Sequence, residues 1–240
     1  MDSNDSLNPQ TLGRRTGWAI LATLVIGFAS AFLVADGIDI NLSADVEATA
    51  RNMLEAELRL RAKAYIAALT FALDGLVGIG LFLLLRKSGQ LLAAWCLLVS
   101  VTAAIFSLLG AIFALNAAEI AGDPAYQNIA SESQRLLLAG LQATSNYTSF
   151  HLGLVLSSAA MAGFFYLFLR SALIPGMIAG WGLSASLFVA TAIVARDFIP
   201  LLGHEAVTTA FMLSNLVAIV ATGIYLSVQG VRTAARPSLS

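Results

Sequence analysis

Apolar residues gather into six long runs along this sequence, separated by short polar segments. The runs cover about 17–35, 64–86, 91–117, 147–169, 176–195 and 206–227. Each supplies the roughly 20 apolar residues that a helix needs to cross a hydrocarbon core about 30 Å thick. A membrane β-barrel would instead alternate polar and apolar residues in segments of about 10. The pattern therefore predicts an all-α, polytopic transmembrane helical bundle, with six spans inside a transmembrane domain at 17–228.

Composition agrees with a membrane protein and excludes other classes. Of 240 residues, 58% are hydrophobic and 11% are charged, whereas soluble domains carry about 25% charged residues. The net charge is −1 and basic residues form no cluster, which argues against a nucleic-acid partner. Cys96 is the single cysteine, so an internal disulfide is excluded. The lipid bilayer is the partner that the sequence predicts, and no cofactor or metal site is expected.

The positions of basic residues predict the orientation of the spans. Arg14-Arg15, Arg86-Lys87 and Arg170 lie in short segments beside span ends, and eleven of the fourteen acids fall in the segments on the other side. Lysine and arginine concentrate in short cytoplasmic loops. We therefore predict cytoplasmic tails at 1–16 and 229–240.

The first span has a rival interpretation as a cleavable signal peptide. Arg14-Arg15 precede an apolar stretch that reaches the small residues Ala29-Ser30-Ala31, as at a cleavage site. The apolar run continues through Phe32-Leu33-Val34, so we favour a retained span. Cleavage would leave five spans.

The segment between spans 1 and 2 has the pattern of an amphipathic extracytoplasmic helix. Ser43 is its expected N-cap. Pairs in the favourable i,i+4 orientation are Glu47–Arg51, Glu55–Arg59 and Glu57–Arg61. An apolar stripe is formed by Val46, Ala50, Met53, Leu54 and Leu58. We interpret the helix as a connector packed on the bundle, and the alternative is a cap over an outward-facing cavity.

The segment at 118–140 carries two helix-start signals. Asp123 precedes Pro124, which suits an N-cap followed by proline at the first helical position. Ser131 and Gln134 have the spacing of a capping box. A structured extracytoplasmic loop is expected here.

Small residues mark where helices approach closely. Gly176 and Gly180 form a Gly-x-x-x-Gly pair, glycines crowd 75–80, and 157–163 is almost entirely small. Such residues let lipid-embedded helices pack backbone to backbone. We expect them to hold the bundle together, and an oligomer through one of these faces is the alternative.

Asp74 is the one acid in the middle of an apolar run. It lies 12 residues before Arg86, about 18 Å along a helix and near mid-membrane. Such acids usually face the interior and have a partner, and without a cation desolvation favours the neutral carboxyl. Asn215 lies at similar depth in span six, so we predict a neutral hydrogen-bonded Asp74–Asn215 pair. A proton relay or a substrate-cation site is the alternative.

A second polar group is predicted near the outer boundary of spans 4 to 6. Its members are Asn146, Tyr147, His151, Arg196, Asp197, His204 and Glu205. The simpler interpretation is an interfacial belt with an Arg196–Asp197 contact, and the alternative is a polar pocket. His151 and His204 also allow b-type haem with two axial imidazoles. No third ligand for a catalytic zinc ion stands out.

Several stretches resemble one bacterial six-helix family. They are His151-Leu-Gly-Leu-Val, Phe164-Phe-Tyr-Leu-Phe-Leu-Arg170-Ser and Ile174-Pro175-Gly-Met-Ile-Ala-Gly-Trp-Gly, with Gly13-Arg-Arg-Thr-Gly17 and Val228-Gln-Gly-Val-Arg232 at the two ends. The chain is similar over about 13–232 to domain of unknown function 4386. The resemblance implies a bacterial inner (plasma) membrane protein and carries no activity.

The leading functional hypothesis is a non-enzymatic membrane module that binds a lipid or small hydrophobic molecule in the outer half of the bundle. No catalytic residue is predicted. The alternatives are a proton-coupled transporter using Asp74, and an intramembrane enzyme or haem carrier using His151 and His204.

Overall fold

The computed structural model describes residues 8–40 and 45–232. These residues form eight α-helices: α1 (Pro9–Ala29), α2 (Val46–Leu54), α3 (Glu57–Leu85), α4 (Gln90–Gly122), α5 (Pro124–Ile129), α6 (Glu132–Ser171), α7 (Gly176–Arg196) and α8 (Glu205–Gln229). A π-helical turn, Ser30–Val34, continues α1. Six of them, α1 with its π turn, α3, α4, α6, α7 and α8, are long and apolar enough to cross a membrane. The predicted six-span, all-α bundle is confirmed.

The six spanning helices form a closed ring. Each packs against the next one along the chain, and α1 also packs against α8. Hydrogen bonds join the two chain ends: Gln10 Nε2 donates to the Val231 carbonyl at 2.6 Å, and the Val231 amide donates to Gln10 Oε1 at 3.2 Å. The end of the bundle that carries these residues is called the terminal end. The opposite end, with α2 and α5, is called the α2 end.

Glycines sit where neighbouring helices approach most closely. A Cβ at Gly17 of α1 would lie 2.3 Å from the Ser227 amide nitrogen of α8, and one at Gly80 of α3 would lie 2.2 Å from Thr16 Oγ1 of α1. These two positions let α1 pack on both of its neighbours. Gly80 belongs to the predicted small-residue stretch at 75–80, whereas Gly17 was not among the expected contacts. At Gly176 and Gly180, a Cβ would meet no atom within 4 Å. The prediction that this pair packs inside the bundle is therefore wrong.

Large side chains fill the half of the ring near the terminal end. The largest fully buried ones there are Leu81, Leu85, Phe164, Phe165, Leu167, Phe168, Ile174 and Leu226. They come from α3, α6, α8 and the α6–α7 connection, and they form one contiguous core. Tight interdigitation of this kind excludes water and maximises dispersion contacts. The terminal half is therefore a packed plug.

The short helix α2 begins differently from the prediction. Asp45 is its N-cap and accepts a hydrogen bond from the Glu47 amide at 2.8 Å. The expectation that Ser43 caps this helix is wrong, and Ser43 lies outside the described residues. Ala50 and Met53 of the apolar stripe are buried.

The helix does not run on into the second span. The chain leaves helical geometry at Glu55 and Ala56, and α3 restarts at Glu57. This break separates Glu55 from Arg59, which instead donates to the backbone carbonyls of Val34 and Asp36. The predicted Glu55–Arg59 pair is therefore wrong, and Leu58, at 80% exposure, does not join the buried stripe.

The other two ion pairs of this segment are confirmed. Arg51 Nη2 lies 2.8 Å from Glu47 Oε1, and Arg61 Nε lies 3.0 Å from Glu57 Oε1. Arg61 also reaches Glu119 of α4 at 2.9 Å. The same arginine thus links α3 to α4 at the α2 end.

Helix α6 starts far earlier than the predicted boundary at residue 147. Ser131 and Gln134 form the predicted capping box, which starts the helix at Glu132. Its 40 residues make it about 60 Å long, twice the hydrocarbon thickness. The extra turns lie beneath α2, where Ala139 and Ala143 are buried. Tertiary packing on α2 keeps the polar stretch helical.

The Gly17 contact gives a direct test of ring closure. Gly17→Ala places a methyl group against the α8 backbone, so the two helices must separate. We expect a cost of about 1–3 kcal/mol, as for overpacked cores, and a lower thermal unfolding midpoint. Gly75→Ala is the matched control, because nothing lies within 4 Å of its Cβ position. An equal midpoint for the two variants would contradict the described α1–α8 contact.

Candidate functional site

A cavity of about 270 Å³ lies inside the ring, between α1, α3, α4, α6 and α8. Most of its wall is apolar. The polar residues on the wall are Thr23, Asp74, Ser100, Ser107, Ser157, Ser158, Asn215 and Thr222. An apolar cavity with a few converging polar groups is the usual form of a small-molecule site. This cavity is therefore the candidate site.

The cavity is closed at one end and open at the other. Leu81, Phe164 and Phe168 line it toward the terminal end, and each is no more than 1% exposed. Toward the α2 end, Ser107 and Phe150 line it and are exposed. The aromatic floor is part of the packed plug, so access is from the α2 half of the bundle.

Asp74 lies on the cavity wall, as its helix position predicted. It is the only ionisable residue among the described lining residues. In the described part of the chain it makes no side-chain hydrogen bond and no ion pair, and the lining groups near it are neutral. The Asp74 carboxyl group therefore faces the cavity and contacts no partner among the described residues.

Asn215 lines the same cavity but does not bind Asp74. Its Oδ1 atom is buried without a hydrogen-bond partner among the described residues. The predicted Asp74–Asn215 hydrogen bond is therefore wrong. The reason is topological: α1 lies between α3 and α8 in the ring, so the two side chains occupy separate parts of the cavity wall.

Three members of the predicted outer polar group, Arg196, Tyr147 and His151, contact one another where α7 ends. The Arg196 guanidinium donates to Tyr147 Oη at 3.0 Å and to His151 Nε2 at 2.5 Å. His151 Nδ1 contacts the Tyr147 carbonyl at 2.9 Å. A carbonyl only accepts, so Nδ1 carries the proton and Nε2 is left as the acceptor for Arg196. Arg196 Nε is 4.0 Å from Asp197 Oδ1, a carboxylate that is 75% exposed.

This Arg196 group lies beyond the cavity toward the α2 end. Tyr147 and His151 precede Leu154 and Ser158 on one face of α6, at spacings of three and four residues. Leu154 and Ser158 line the cavity. The group therefore borders the cavity without lining it, because Phe150 and Gly153, on either side of His151, are lining residues.

The histidines do not form a haem site. Both ring nitrogens of His151 are engaged by the protein. His204 caps α8, with its Nδ1 accepting from the Ala206 amide at 3.3 Å. In this arrangement His151 has no free ring nitrogen for an axial bond to haem. No group of three or more His, Cys, Asp or Glu residues suited to a metal ion occurs within residues 8–40 and 45–232.

Asn146 belongs to a different cluster from its predicted neighbours. Its Nδ2 donates to Asp39 Oδ1 at 3.0 Å, and the same carboxylate pairs with Lys63. This cluster ties the segment after α1 to α3 and α6 at the α2 end. Asp39 and Lys63 were not anticipated, because they are 24 residues apart and Asp39 lies in a connection with no periodic pattern.

Comparisons with known proteins give a family and no function. A family model described as Domain of unknown function (DUF4386) matches residues 15–230. No curated protein and no solved structure matches the chain. The roles of the cavity residues therefore have to be derived from the geometry.

The Asp39 cluster makes a stability prediction. The Lys63 side chain is 14% exposed, so Asp39→Ala leaves a largely buried ammonium group unpaired. We expect a loss of about 1–3 kcal/mol of unfolding free energy. Asp39→Ala with Lys63→Met removes the stranded charge and should recover part of that loss, measured as a double-mutant cycle. Glu47→Ala breaks an exposed pair and is the control, with a loss of about 0.5 kcal/mol or less.

Proposed function

Because the chain belongs to the DUF4386 family, whose description assigns no activity, we propose a function from the cavity itself. The protein is a non-enzymatic integral membrane protein that holds a lipid or small hydrophobic molecule in the outer half of the bundle. One observation carries this proposal: the cavity has a mostly apolar wall, unpaired polar groups and exposed lining residues toward the α2 end.

Orientation in the membrane is part of the proposal. The terminal end carries the basic residues Arg14, Arg15, Arg86, Lys87 and Arg170. By the positive-inside rule that end faces the cytoplasm. In a bacterial inner membrane the cavity then opens toward the outer leaflet, and its occupant enters from outside.

Asp74 supports a second candidate, a proton-coupled transporter. Ionisable groups inside membranes mark proton and substrate pathways, and Asp74 faces the cavity without a protein partner. Transport also requires the floor at Phe164 and Phe168 to open toward the terminal end. The two candidates therefore differ in whether the cavity is ever reached from the cytoplasmic side.

Thiol labelling distinguishes the candidates. Cys96 is buried, and Cys96→Ser gives a background without cysteine. In that background, Ser107→Cys should react with a membrane-impermeant methanethiosulfonate added outside intact cells. The control Ile105→Cys lies on the exposed apolar face of α4 and should stay unlabelled in lipid. A binding module predicts no labelling of Ser107→Cys in inverted vesicles, whereas labelling there supports the transporter. Failure to label Ser107→Cys from outside contradicts the open cavity.

A cavity-filling variant tests occupancy. Ser107→Trp places a large side chain at the open end, and Ser107 makes no side-chain hydrogen bond among the described residues. We expect at least a fivefold loss of small molecules that copurify, measured by mass spectrometry of solvent extracts. Ile105→Trp, with the same added bulk on the outer face of α4, should retain them. Equal recovery from both variants would contradict ligand binding in the cavity.

A further inference from the structure

The cavity wall carries six hydroxyl groups, and most of them direct their protons away from the cavity. Four of them donate to a carbonyl on their own helix: Thr23 to Ala19 (3.0 Å), Ser100 to Leu97 (2.9 Å), Ser157 to Leu154 (3.1 Å) and Thr222 to Ala218 (2.8 Å). A hydroxyl has one proton and two lone pairs. Once the proton is used within the helix, the oxygen offers only acceptor positions to anything in the cavity.

The remaining polar groups reinforce this bias. Asp74 contributes carboxylate oxygens, and Asn215 Oδ1 is buried without a donor. Ser158 is 2% exposed, and its Oγ also has no partner. No lysine, arginine or histidine occurs among the cavity-lining residues that the structure describes. Buried polar groups of folded proteins are nearly always paired. The ionised Asp74 carboxylate and Asn215 Oδ1 are acceptors that lack a donor, so an occupant that supplies hydrogen-bond donors satisfies them, whereas the Ser158 hydroxyl can either accept or donate.

The chemistry of this wall selects one class of head group. An ionised Asp74 repels an anion, and the four hydroxyls that donate within their own helices offer a neutral ester no donor. An ammonium group brings three N–H donors and a positive charge, and hydrogen bonds to an ionised acid are the strong ones. We propose that the cavity binds an apolar amine as its ammonium ion, with the nitrogen at Asp74. This inference rests on the proposed function and names its ligand class.

The rest of the cavity defines the body of that ligand. Ile20, Val77, Leu154, Met161 and Ile219 supply apolar contact on four different helices. The positive charge of Arg196, at the end of α7, lies farther toward the α2 end than Ser158, where it contacts Tyr147 and His151 of α6. An amine that enters head first therefore places its ammonium group at Asp74 and keeps its apolar tail near Arg196. This orientation keeps the ammonium group of the ligand farthest from the Arg196 guanidinium, so the repulsion between these two positive charges is least.

Three eight-carbon probes that differ only in the head group test the proposal. The full chain is reconstituted in phosphatidylcholine nanodiscs at neutral pH, and thermal unfolding is followed with octylamine, octanol or octanoate. A ligand that binds only the folded state raises the unfolding midpoint with concentration. We expect octylamine to raise it most, octanol less, and octanoate not at all.

Two substitutions identify the contact. Asp74→Asn should weaken the octylamine response at least tenfold in apparent Kd while preserving the octanol response. Asp74→Glu keeps the charge and should keep most of the octylamine response. Asp123→Asn is the matched acid-to-amide control, because Asp123 caps α5 away from the cavity and asparagine caps equally well. Asn215→Leu removes one acceptor without touching Asp74, and it provides the test should Asp74→Asn not fold.

The outcomes separate this inference from the proposed function. Suppose octylamine raises the unfolding midpoint equally in wild type, Asp74→Asn and Asn215→Leu, but does not raise it in Ser107→Trp. The amine assignment is then overturned, and binding in the cavity stands. If each of the three probes shifts the unfolding midpoint of Ser107→Trp as much as that of wild type, binding in the cavity is overturned as well. A stronger response to octanoate than to octylamine also refutes the amine.

Discussion

The cavity and the bundle around it depend on the closure of the ring between the first and last spans. Lipid tails are as apolar as the helix surfaces, so the spans gain nothing from hydrophobic burial against one another. They associate by close packing, and Gly17 is where the α1 backbone reaches α8. Closure brings Thr23 of α1 and Asn215 of α8 to the wall of one cavity. Without that contact the cavity would lose one side to lipid.

The two ends of the bundle are stabilised by different interactions. Near the terminal end, buried aromatic and aliphatic side chains form one contiguous core. At the α2 end, charged groups at the membrane–water boundary hold the longer helices together: Asp39 with Lys63 and Asn146, and Arg61 with Glu57 and Glu119. Arg61, Glu57 and Glu119 are partly exposed, so their desolvation cost is modest, whereas Lys63 is largely buried and needs Asp39 as its partner. The cavity therefore lies between the packed core near the terminal end and the charged groups at the α2 end.

Local signals could be predicted from the sequence, and contacts between distant segments could not. The capping box at Ser131 and the Glu47–Arg51 pair depend on residues within one turn, so spacing alone identifies them. Depth along a helix placed Asp74 inside the bundle. Its predicted bond to Asn215 failed, because equal depth does not specify the order of helices around a ring. The Asp39–Lys63 pair was missed because it depends on the path of the connection after α1, which has no periodic sequence pattern.

Ring closure has a consequence for how the protein is made. Gly17 lies in the first of the six spans and its contact, Ser227, lies in the last of them. At about 5–20 residues per second, the roughly 210 residues between them take about 10–40 s to translate. During that interval the nascent first helix has no final neighbour, and a half-built wall exposes Asp74 to lipid or to the insertion machinery. The wall of the cavity is therefore completed only after the last of the six spans has been made.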